Sequence, residues 1–82
     1  MIILDSARKH GISDDDMLKV VNDPIVSYLV SSETEKRLLP GFDSKARAVE
    51  VITDTGADGQ VYVIHADKIT KQYERLLKEV LK

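Results

Sequence analysis

The sequence predicts an α+β domain: two short N-terminal helices, a four-stranded antiparallel meander sheet and one C-terminal amphipathic helix. Three observations carry that expectation. The first is a pair of β-rich runs, 46–53 and 60–66, joined by Asp54-Thr55-Gly56-Ala57-Asp58-Gly59. Val49, Val51, Ile52, Val61, Val63 and Ile64 suit a pleated, packed surface, and the Gly and Asp residues between the runs are turn chemistry. The second is the stripe Ile69, Tyr73, Leu76, Leu77 and Val80, spaced as one face of a helix. The third is a set of helix start and stop signals before residue 25.

Taken in order, residues 3–10 read as a short helix closed by Gly11, a left-handed cap. Ser13 is the N-cap of a second helix, with Asp16 as capping-box acid and Ile12 with Met17 as a hydrophobic staple. Asp14, Asp15 and Asp16 lie in its first turn, where the helix dipole favours negative charge. Asn22-Asp23-Pro24 ends it, because the residue before proline avoids helical angles. Residues 25–31 alternate as a strand, Ser32-Glu33-Thr34 turn the chain, and 35–39 form a shorter strand closed by Pro40-Gly41. With the central hairpin this gives four strands in sequence order, hence antiparallel neighbours. The last helix is expected over 68–81 with Asp67 as its N-cap. Lys68, Lys71, Arg75, Lys78 and Lys82 share the arc opposite its apolar stripe.

Composition narrows the function classes. With 82 residues, 43% hydrophobic and 32% charged, the chain is one folded domain, and domains of this size commonly gain stability from a partner. There is no cysteine, which excludes a disulfide framework and a thiolate site. The two histidines lie far apart in sequence and do not supply a zinc ligand set; no metal or cofactor is expected. The apolar run at residues 1–4 is too short for a signal peptide or a membrane span, so the expected compartment is the cytoplasm. Net charge is −2, but it is unevenly spread. Residues 1–35 hold seven acids and three bases, whereas residues 36–82 hold seven acids and nine bases. A phosphate-binding surface belongs to the second part.

One family is similar to this pattern. Lys9-His10-Gly11-Ile12-Ser13, Asp23-Pro24, Glu35-Lys36-Arg37, Gly41, Arg47 leading into Val49-Glu50-Val51, and Ile64-His65-Ala66 before a basic helix with Glu74-Arg75 resemble the BrnT toxins. These are small RelE-like ribonucleases of bacterial type II toxin–antitoxin pairs. The resemblance implies N-terminal helices, an antiparallel sheet and a C-terminal helix. It also implies RNA cleavage and a cognate antitoxin, usually with a ribbon-helix-helix domain. Two positions depart from the family: residues 1–5 lack its aromatic-rich opening, and Asp67 stands where the family carries an Arg.

A metal-free ribonuclease needs a base for the 2′-hydroxyl, an acid for the leaving oxygen and cations for the phosphorane. Glu50 and His65 are the acid/base candidates; Arg37, Arg47 and Lys68 are candidates for the phosphate, with Lys71 and Arg75 extending the RNA surface. Arg37 and Arg47 are expected on strands either side of 40–44, close enough to meet. If Glu50 pairs with Val63, then Glu50 and His65 share a face; a one-residue shift separates them. Each candidate also has a plain structural reading. Glu50 can serve as a charge partner, His65 as a strand-end hydrogen-bonding group, His10 as a helix-end cation and the basic arc as a solvated face. Two functions remain open on sequence: a toxin-like ribonuclease, and a non-catalytic domain of the same fold that binds an antitoxin-like partner.

Overall fold

The computed structural model describes all 82 residues, Met1–Lys82. The elements are β1 (Ile2–Ile3), a 3₁₀ turn (Asp5–Arg8), α1 (Asp14–Asn22), β2 (Tyr28–Ser31), β3 (Lys36–Phe42), β4 (Ala48–Thr55), β5 (Val61–Lys68) and α2 (Lys71–Val80). One sheet has the order β1-β5-β4-β3-β2. Strands β2 to β5 are antiparallel neighbours, and β1 lies parallel to β5.

The sheet is therefore five-stranded and mixed, with two α-helices, and not a four-stranded meander with three. The difference starts at the N-terminus. Ile2 and Ile3 pair with Tyr62 and Val63, and the Leu4 N–H donates to the Val63 carbonyl at 3.0 Å. Only Asp5–Arg8 is left for a helical turn. An isolated helix of that length is marginal, while the edge of β5 offers backbone groups that need partners. The start of α1 follows local rules: Gly11 is left-handed at φ 78°, and the Ser13 hydroxyl caps Asp16 N–H at 3.1 Å. The Asp16 carboxylate reaches away from its helix, accepting the Ser44 N–H at 3.0 Å.

Pro40 and Gly41, expected to close a strand, lie inside β3 and are buried. The Asp43 N–H donates to the Arg47 carbonyl, so alternate amides of β3 point at β4 and the nitrogen of Pro40 points away. β2 begins opposite Leu38, so no strand on that side calls for the missing N–H. At Gly41 an added Cβ would stand 3.1 Å from Val20 Cγ2, which lets α1 settle on the sheet.

One face of the sheet carries the main core. Ala7, Met17 and Val20 pack there against Leu39, Val49, Val51, Val63 and Ala66. Over the other face α2 lies on β3, with Leu77 buried, Ile69, Tyr73 and Leu76 half-buried, and Val80 exposed. The helix thus buries a narrower stripe than its periodicity predicts. Leu77→Ala should cost about 2–3 kcal/mol, whereas Val80→Ala should cost less than about 0.5 kcal/mol. Equal losses in a urea titration would contradict this seating of the helix.

Candidate functional site

The site forms where β4, β5 and the approach to α2 converge. A β-bulge decides it. Ile52 stands opposite His65 but Thr53 stands opposite Val63, so Ile64 is an extra residue in β5. The bulge lets Val63 and Ala66 both enter the core while His65 turns to the opposite face. Glu50 is on that face too, opposite Asp67 and diagonal to His65. The expected pairing of Glu50 with Val63 does not form, yet Glu50 and His65 meet: His65 Nε2 lies 2.9 Å from Glu50 Oε2.

Glu50 is a buried carboxylate with both oxygens engaged. Its side chain is 4% exposed, and its Oε1 accepts the Thr70 N–H at 2.7 Å. Thr70 is the N-cap of α2 and makes no side-chain cap of its own, so a strand residue supplies the acceptor that the helix start lacks. The negative charge also sits at the positive end of the helix dipole. His65 is held by this carboxylate but remains 33% exposed.

Asp67 does not cap α2. It lies within β5, one residue before Lys68 and opposite Glu50; its Oδ1 accepts the Lys68 N–H at 2.7 Å and its Oδ2 lies 3.5 Å from His10 Nδ1. The His10 ring meets that of His65 edge-on, with centroids 5.7 Å apart. Two imidazoles, each beside a carboxylate, therefore stand in contact. His10, Gly11, Arg47, Asp67 and Lys68 border a cleft of about 360 Å³, floored by Val49 and Asp43.

Arg47 is held ready in this cleft. It precedes β4 in a tight loop and is not part of a strand. The buried Asp43 organises that loop: its Oδ1 accepts the N–H groups of Lys45 and Arg47, and its Oδ2 takes Arg47 Nε at 2.7 Å. Burial opposes ionisation of Asp43, but the Arg47 N–H, the guanidinium and the Lys45 N–H outweigh it and hold the carboxyl below the usual carboxylate range. The same bonds keep Ala46 left-handed at φ 61°, a conformation costly for a residue with a Cβ. The Nη groups of Arg47 make no protein hydrogen bond and are free for an anion.

Not all the predicted residues gather here. Arg37 pairs with Thr53, on the opposite face from Glu50, and bonds to Ser27 Oγ and Glu35; it does not meet Arg47. Lys68 ends β5 and borders the cleft, outside α2. On α2, Lys78 pairs with Glu74, and Lys82 beyond it pairs with Glu79, while Lys71 and Arg75 are exposed and make no ion pair. His10, Asp43 and Thr70 join the site without a sequence signal for their roles. No group of three or more His, Asp or Glu side chains is placed to hold a metal ion, and no helix is long and apolar enough to cross a membrane. Compared with protein-family models, with curated proteins and with solved structures, the chain finds no match.

Proposed function

We propose that this chain is the toxin-like component of a bacterial type II toxin–antitoxin pair, a cytoplasmic, metal-independent endoribonuclease of the BrnT kind. One observation carries the reading: a part-exposed imidazole, His65, is clamped at 2.9 Å to a buried carboxylate beside a cleft with two available cations, Arg47 and Lys68. An imidazole oriented in this way can move a proton at the 2′-hydroxyl or the leaving oxygen. The Arg47 Nη groups and the Lys68 ammonium can take the charge of the phosphorane. Glu50 acts through His65 and does not touch the substrate. Lys71 and Arg75, exposed on α2, extend the cationic surface for the RNA.

A second reading has its own support. Glu50 has both oxygens engaged, one at the start of α2 and one at His65, and Asp67 places a carboxylate at the rim of the cleft. On that reading the domain is non-catalytic and binds an antitoxin-like partner of ribbon-helix-helix type. One experiment separates the two. Purified wild type is incubated with a single-stranded RNA, alone and after co-expression with the product of the neighbouring gene. Cleavage that falls about 10²–10⁴-fold in His65→Ala supports the enzyme. Wild type that leaves RNA intact, yet co-elutes with the neighbouring gene product, supports the second reading.

A further inference from the structure

We infer that His10 is the second proton-transfer group of the site, with the Asp67 carboxylate 3.5 Å from its Nδ1 to orient it; this rests on the ribonuclease reading above. Cleavage by transesterification needs two groups, one to take a proton and one to give one. Glu50 cannot be the second, because its side chain is 4% exposed and both oxygens are bonded. His10 borders the cleft together with Arg47 and Lys68, and its ring touches that of His65. Its Nδ1 faces Asp67 Oδ2 at 3.5 Å, which leaves Nε2 free. Asp67, which replaces a cation of the resembled family, thus has a part of its own: it orients an imidazole.

The substrate class follows from the chemistry. The attacking group is a 2′-hydroxyl, so RNA is cleaved and DNA is not. One imidazole takes the hydroxyl proton as the O2′–P bond forms. The other gives a proton to the 5′ oxygen as the P–O5′ bond breaks. The products are a 2′,3′-cyclic phosphate and a 5′-hydroxyl, and exchange with water resets both rings.

The test is steady-state cleavage of a single-stranded RNA oligonucleotide by wild type, His10→Gln, Asp67→Asn and the double variant, with the DNA oligonucleotide as control. His10→Gln should lower kcat about 10²–10³-fold with KM within about threefold. Asp67→Asn should lower kcat less, and should add nothing once His10 is gone, because Asn keeps the acceptor for the Lys68 N–H and changes only the group that faces the His10 ring. The side chains of His10 and Asp67 are 41% and 33% exposed, so both variants should melt near wild type, which a thermal scan checks. Cleavage by wild type with His10→Gln within twofold of it overturns this inference and leaves the ribonuclease reading intact. Additive losses in the double variant overturn the role of Asp67. An inert wild type overturns both the inference and the reading.

Discussion

Replacing Glu50 with Ala should destabilise the fold by about 2–4 kcal/mol, more than any other polar substitution on the sheet. The loss has two parts. The Thr70 N–H loses its acceptor at the first turn of α2, where the helix has no cap of its own. His65 loses the partner that fixes its ring. Hydrogen bonds to a charged acceptor contribute about 1.5–3 kcal/mol each, and two of them end on this one carboxylate. Because α2 is seated through one buried side chain, Leu77, its start has little else to hold it. Glu50→Gln keeps the shape and an acceptor for Thr70, and should lose less than about 1 kcal/mol. Urea unfolding of both variants checks this, and a loss below about 0.5 kcal/mol for Glu50→Ala would show that the carboxylate does not hold the helix. The same substitution frees the His65 ring, so any RNA cleavage should fall even where the variant remains folded.

The Asp43 loop is expected to make stability depend on acid. Its carboxyl is held below the usual range in the native state, whereas the unfolded chain carries it near about 3.9. In the window between those values the unfolded chain binds more protons, so stability rises with pH there. The contribution is complete above about pH 5 and is lost as pH falls through the native value. Asp43→Asn should therefore flatten the acid end of a stability–pH curve and leave its shape near neutrality unchanged. Asp43→Ala removes the acceptor for the Lys45 and Arg47 N–H groups and leaves the left-handed Ala46 held only by backbone bonds, its own N–H to the Asp43 carbonyl and the Asp43 N–H to the Arg47 carbonyl. It should lower the melting temperature by on the order of 10 °C. It should also release Arg47, which makes no hydrogen bond to any other side chain. A melting curve unchanged from wild type would mean that the loop is held by its backbone alone.

Several elements were legible from local chemistry because local chemistry makes them. The Ser13 cap and the Asp23-Pro24 stop place α1 within its observed bounds. Gly59 at φ 81° and the bond from Gln60 N–H to Asp58 Oδ1 turn the β4–β5 hairpin as its Gly and Asp residues require. Pro40-Gly41 were misleading for a tertiary reason. A proline ends a strand only where its missing N–H is needed, and here β2 has already stopped. Asp67 and Thr70 exchanged the expected capping role because β5 runs two residues further than Ala66.

The sequence by itself determined the α+β class, the antiparallel run from β2 to β5, the first full helix and the residue types from which a site could be built. Each of these depends on side-chain period, turn chemistry or capping, which act over a few residues. Only the tertiary structure decided which of those residues meet. The parallel pairing of β1 with β5 carries the following segment, and His10 with it, to the end of β5 beside Asp67. The bulge at Ile64 brings His65 onto the face of Glu50. Strict alternation would have put Val63 and His65 on one face, and a single inserted residue reverses that. Its driving force is the packing of both Val63 and Ala66 against α1 and the 3₁₀ turn, contacts distant in sequence that no local pattern records.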